Sequence, residues 1–176
     1  VGPTDDRRFY DKLVSDFPRP WRRTLLKLAL LESIPLALAR ELSEIADIGS
    51  GLDYLQRHQV SLVRLEGKED CLLFNPQVRE LLRAKAQQQL SDGERREVYR
   101  IAANWYRERG HLPSLLACLV GGGQYAEVSQ LLSQQGLGLL HRDNDSTSIA
   151  VLEQIADEQV AECGWLSLLR GIQPCL

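Results

Sequence analysis

One stretch of this sequence breaks period with everything around it. Val60, Leu62, Val63 and Leu65, then Cys71, Leu72, Leu73 and Phe74, place apolar residues at a spacing near two, with the polar turn Glu66-Gly67-Lys68-Glu69-Asp70 between them. That is the pattern of a β-hairpin. On both sides the apolar spacing returns to that of amphipathic helices. A chain with one short hairpin set among helices is neither a β-sandwich nor a barrel, and an aromatic content of 6% agrees. Leu supplies 32 of 176 residues against 13 Gly and 7 Pro, which excludes disordered and collagen-like classes. The length suffices for one medium domain or two small ones.

Before the hairpin, Phe9, Leu13, Val14 and Phe17 lie at helical spacing until Pro18 and Pro20 stop that segment. Trp21 to Glu32 then carries an apolar stripe of Leu25, Leu26, Leu28, Ala29 and Leu31, with Arg22, Arg23 and Lys27 on its other side. Ser33 to Pro35 interrupts it, Leu36 to Leu42 with Ile45 gives the next helix, closed by the turn Ile48-Gly49-Ser50-Gly51, and Ser50 caps a third through Leu52, Leu55 and Gln56. After the hairpin, Asn75-Pro76 is a start signal, a capping side chain followed by Pro at the first helical position, for a helix to about Leu90 with Val78, Leu81, Leu82 and Lys85 on one face. Three helices, a two-stranded wing and a further helix make a winged helix over residues 1–90.

From Ser91 onward the reading is helical throughout. Ser91 to Glu94 offers a capping box, and Val98, Ile101, Ala102, Trp105 and Tyr106 form a stripe that ends near Arg109-Gly110. Leu112 to Val120 pairs back on it. Gly121-Gly122-Gly123 then turns the chain into Tyr125 to Leu132. Beyond a polar connector, Gln134 to Asp145, the spacing predicts two more helices, Ser146 to Ala156 and Val160 to Ile172. Paired helices with nothing else suggest tetratricopeptide-like hairpins over 91–176, although the period is irregular. Trp105, Tyr106, Tyr125 and Trp165 all fall on the predicted buried stripes, so core packing is preferred to a binding role.

Five strings in order carry a family resemblance: PWRRTLLKLALLESI (20–34), LDYLQRHQVSLVRLE (52–66), LLFNPQVRELLRAKA (72–86), YRIAANWYRERGHLPSLLACLVGGGQYAEVSQLL (99–132) and VLEQIADEQVAECGWLSLLRG (151–171). They resemble the central region of the MalT-like, ATP-dependent LuxR-type transcriptional regulators of the STAND class. The resemblance implies a winged helix that follows an NTPase module and opens a superhelical sensor of inducers or regulatory proteins. It implies ATP or ADP for the parent protein, with no cofactor held by this part of the chain. In the wider class a His at the junction of wing and helix touches the nucleotide phosphate. Here the junction is Phe74-Asn75-Pro76, and Asn75 offers a hydrogen bond without a positive charge.

Catalytic chemistry finds no footing in the sequence. His58, His111 and His141 have no partner at the spacing of a nucleophile or metal site. The Gly triplet lacks the Lys-Ser/Thr of a phosphate loop, and Asp143-Asn144-Asp145 lacks the Gly and the closing Glu of a calcium loop. DNA binding is disfavoured as well. The net charge is −3, Asp53 cancels Arg57 on the helix that would read bases, and the wing turn holds Glu66, Glu69 and Asp70 against Lys68. Arg22, Arg23 and Lys27, and separately Arg79, Arg83 and Lys85, read either as solvated helix faces or as docking surfaces for the NTPase module. Asn75 reads as a helix cap or as a nucleotide contact.

Four scattered Cys without a CxxC pair fit reduced thiols in a cytoplasm, and no apolar run approaches the ~20 residues of a membrane span. A chain that starts at Val1, holds no Met and stops at Leu176 reads as a piece of a longer protein. The expectation is a non-catalytic, cytoplasmic signal-relay fragment, with no metal site, that couples an NTPase module to the remaining sensor repeats. The alternative is a freestanding helical-repeat scaffold for protein-protein interaction. A Walker A and Walker B pair upstream would separate the two.

Overall fold

The computed structural model describes residues 12, 15, 17–45, 47–49, 62–65 and 70–135. Several expectations lie outside these residues: the helix before Pro18, the helix through Leu52 and Leu55, the wing turn 66–69, and both helices after 145. The chain divides into two compact units, residues 1–98 and 99–176.

The first unit opens with α1 (Arg19–Leu28), β1 (Ile34–Pro35) and α2 (Leu36–Leu42). It continues with β2 (Leu62–Leu65), β3 (Cys71–Phe74) and α3 (Pro76–Gln89). Helix α1 differs from its predicted span at both ends. Pro20 lies in its first turn, where a missing N–H costs nothing, so the Pro-Arg-Pro run that was expected to stop one helix starts the next. At the other end Leu30 and Leu31 donate to Lys27 and Leu28, three residues back, which tightens the chain into a turn.

The hairpin is present, and it has a third strand. The order is β1-β3-β2, both pairings antiparallel, with Leu62 opposite Phe74, Leu65 opposite Cys71, and Ile34 opposite Leu72. The segment expected only to interrupt two helices is therefore an edge strand. Pro35 has no N–H to offer a ladder, and an edge position tolerates that. The N–H of Leu36 donates to the Asp70 carbonyl at 2.8 Å and closes the pairing.

Behind the sheet the core is aliphatic: Leu25, Leu26, Leu28, Ile34, Leu38, Val78 and Leu82 are all buried. On α3 the buried face is Val78, Leu81, Leu82 and Ala86, and Lys85, expected on that face, is half-buried. This mainly helical unit with an antiparallel wing is a winged helix.

Helix α4 (Asp92–Glu108) crosses from the first unit into the second, which continues with α5 (Leu112–Gly121) and α6 (Tyr125–Gln135). Two successive turns in the second unit close in the same way. After α4, Gly110 adopts φ 66°, its N–H donates to Arg107 O, and the N–H of His111 donates to Tyr106 O. After α5, Gly123 adopts φ 71°, its N–H donates to Val120 O, and the N–H of Gln124 donates to Leu119 O. Each is a Schellman closure that needs a left-handed residue, which glycine supplies without strain. Gly121, expected in the turn, is the last residue of α5. A Cβ there would lie 2.5 Å from a ring carbon of Tyr99, so the missing side chain is what lets α5 pass against α4. Tyr106, Ala102, Leu116, Leu119 and Val128 are buried in this unit, and Trp105 has Arg109 stacked on its ring. Tyr125, expected on a buried stripe, is half-buried.

Candidate functional site

The polar chemistry of the first unit gathers on the basic side of α1. Lys27 and Arg23 sit one helical turn apart, and both reach Glu44, in the loop after α2, at 2.7 and 3.3 Å. Arg23 makes this contact through Nε. Its Nη2 turns the other way and pairs with Glu94 in the first turn of α4. One guanidinium thus bridges two carboxylates from different segments, a task suited to a planar fork with donors on separate edges. Thr24, fully buried, accepts the N–H of Glu44 at 3.3 Å and anchors the loop from below.

Glu94 has a second duty. Its Oε2 accepts the N–H of Ser91 at 2.9 Å and the Ser91 hydroxyl at 2.8 Å, while its own N–H donates to Ser91 Oγ at 3.2 Å. This is the capping box that the sequence announces. Its Oε1 faces Arg23. The electrostatics follow from these partners. The Lys27 hydrogen bond, followed in effect by those of Arg23, holds Glu44 below the usual carboxylate range against the cost of desolvation. Glu94 is also lowered, first by the Ser91 N–H and hydroxyl and then by Arg23. Arg23 is raised above its already high value, chiefly by its hydrogen bond to Glu44 and then by the charge of Glu94. All three groups are held ionised.

At the opposite end of α1, Arg79 on α3 brings two of its nitrogens to 3.4 Å from one oxygen of Glu32. Arg23–Glu94 thus ties α1 to the first turn of α4, and Glu32–Arg79 ties the turn after α1 to the first turn of α3. The Nε of Arg79 is buried without a hydrogen-bond partner, as is that of Arg22. Asn75 caps α3 through Oδ1, which accepts the N–H of Gln77 at 2.9 Å. The cap occupies the side-chain acceptor and leaves the amide –NH2 as its donor group.

The four residues singled out from sequence thus separate. Asn75 and Arg79 share the first turn of α3, with Arg79 committed to Glu32. Arg83 is exposed one turn further on, and Lys85 is half-buried. Sequence reasoning missed Glu32, Glu44 and the pairing of Glu94 with Arg23, because their partners lie 47, 21 and 71 residues away. Only the local Ser91-to-Glu94 spacing carried a signal. Nothing in this cluster is arranged to move a proton or attack a bond: its carboxylates are neutralised by fixed cations rather than poised near neutrality. Among the described residues no group of three His, Cys, Asp or Glu is placed to hold a metal ion, and no helix is long and apolar enough to cross a membrane.

The class defined by this geometry is a winged-helix unit, cross-linked by ion pairs, whose last helix continues into glycine-closed helical turns. Residues 10–94 match the family described as the MalT winged helix domain, which covers nearly the whole first unit and supports a MalT-like assignment of that part of the chain. No curated protein matches the chain.

Proposed function

We propose that this chain is a non-catalytic relay in a MalT-like, ATP-dependent LuxR-type transcriptional regulator, joining an NTPase module to a helical-repeat sensor in the cytoplasm. The observation that carries the proposal is the agreement of the first unit with the MalT winged helix domain, together with a helix, α4, that begins in this unit and continues into the next. In this reading the winged-helix domain spans 1–90 and tetratricopeptide-like hairpins span 91–176. The unit serves as a packing block. Its wing-turn sequence is acidic, with Glu66, Glu69 and Asp70 against Lys68, which opposes DNA phosphates.

The docking surface toward the NTPase module centres on Arg83, because Arg79 is already engaged by Glu32 and Lys85, two positions further along the helix, belongs to a different face. Asn75 stands at the wing-to-helix junction as the residue nearest in kind to a nucleotide contact. A relay of this sort requires two arrangements that differ in affinity for nucleotide or inducer.

The deciding experiment places Arg83→Glu in the parent protein and measures retained nucleotide and response to inducer. The expected outcome is faster nucleotide loss with an unchanged fold. Wild-type retention and response would remove the docking role. Titration of the 176-residue chain with duplex DNA at low salt is expected to show no salt-dependent binding; a steep salt slope would favour a DNA-reading winged helix instead.

A further inference from the structure

The ion pairs on α1 form a continuous chain, Lys27 to Glu44 to Arg23 to Glu94 to Ser91, and Arg23 is the link that joins its two halves. On one side lies the loop after α2, whose Glu44 is tied by side chain and backbone to α1. On the other lies the first turn of α4, the helix that leads out of the winged-helix unit. We infer that Glu44 is a positioning residue for Arg23, and that through this guanidinium the loop after α2 controls how firmly the start of α4 is held. This deepens the relay reading and rests on it only for the meaning of the coupling.

Three observations carry the inference. Arg23 uses different nitrogens for its two partners, Nε for Glu44 and Nη2 for Glu94, so the first contact orients the fork for the second. Glu94 uses different oxygens for its two partners, Oε1 for Arg23 and Oε2 for Ser91, so the pair acts on the residue that caps α4 without displacing the cap. Arg23 and Glu94 are each about one-third exposed, at 32% and 34% of the side chain, so the pair opens without unpacking the core. Loss of Glu44 frees the Arg23 side chain to sample other rotamers, and the hold on Glu94 weakens with it.

The experiment is a double-mutant cycle read by amide hydrogen exchange in the 176-residue chain, following the N–H groups of Glu94 and Arg95, which bond to Ser91. Glu44→Ala is expected to speed exchange at these amides about three- to fivefold in the wild-type background and by less than 1.5-fold in an Arg23→Gln background, as expected for a coupling of surface ion-pair size. Arg23→Gln keeps the stem that packs on α1, and the amides of Leu82 and Ala86 in α3 serve as the internal reference. Glu94→Gln preserves the capping box and should match Arg23→Gln.

An equal effect of Glu44→Ala in both backgrounds, or none in either, overturns the inference, as does a rise shared by the α3 amides, which would mean general loosening. The outcome is independent of nucleotide. A preserved coupling in a parent without an NTPase module would defeat the relay reading alone, and a lost coupling in a parent with one would defeat this inference alone.

Discussion

The two units are held together by different means. The first joins segments far apart in the sequence: Arg23 to Glu94 across 71 residues, Arg79 to Glu32 across 47, and β1 to β3 across a similar gap. The second joins neighbours, with Tyr99 against Gly121, Arg109 over Trp105, and two glycine-closed turns thirteen residues apart. A body built on long-range pairing closes large loops before it gains contacts and therefore behaves cooperatively as one piece. Packing between consecutive helices gains its contacts across short connections instead, so each pair depends chiefly on its sequence neighbours.

The sharpest way to break this comparison is to hollow out each core in turn. Leu82→Ala and Leu119→Ala both remove a fully buried side chain, and each should cost about 2–5 kcal/mol. Hydrogen exchange should show the first loosening residues 17–98 as a block. The second should loosen α5 and α6 most, with the effect fading along the helices from the cavity. Block-like loss in both units would erase the contrast.

Gly121→Ala tests the second unit alone. In an ordinary helix this exchange stabilises, but here the new methyl meets the Tyr99 ring, and an overpacking cost of about 1–3 kcal/mol is expected in thermal unfolding. Tyr99→Leu in the same chain should recover part of the loss. An increase in stability on Gly121→Ala would show that the two helices approach each other less closely than the structure places them.

The contrast also explains what was legible in the sequence. Local signals read well: Asn75-Pro76 opened α3, Ser91 to Glu94 capped α4, and the change of apolar period located β2 and β3. Each of these is fixed by residues within a turn or two. The third strand was not legible, because two residues, one of them Pro, carry no periodicity and Ile34-Pro35 becomes a strand only when Leu72 and Cys71 lie beside it. The same holds for the basic face of α1. Its Arg and Lys look alike from sequence, and only the fold distinguishes Arg23 and Lys27, which are tied to Glu44, from Arg22, whose Nε is buried without a hydrogen-bond partner.

The cap of α3 sharpens the reading of the wing junction. Asn75→Ala should cost about 1 kcal/mol in chemical denaturation of the first unit, through loss of the bond to Gln77 N–H. Asn75→Asp keeps that acceptor and places negative charge at a helix start, so stability should hold or rise slightly. The carboxylate cannot donate to a phosphate. In the nucleotide-binding regulator proposed above, a stable Asn75→Asp variant with weakened nucleotide retention would therefore assign the junction a ligand role beyond its cap, whereas unchanged retention would leave it a cap alone.

The smallest effect concerns acid. Glu44 and Glu94 have folded-state pKa values lowered by their partners, so in the folded chain they bind protons less readily than in the unfolded one. Their contribution to stability is fully present above the unfolded carboxylate value, about 4.3. It is lost as pH falls from there through the lower folded values, because below both the two states are equally protonated. Both side chains are slightly more than a third exposed, so screening keeps the contribution modest. Denaturation of the first unit at pH 7, 5 and 3.5 should give a slope that Glu44→Gln with Glu94→Gln flattens, and high salt should narrow the difference. Identical slopes for the wild type and the double variant would mean that the long-range ion pairs follow the fold of the first unit without helping to hold it, and the comparison between the two units would then rest on strand pairing and core alone.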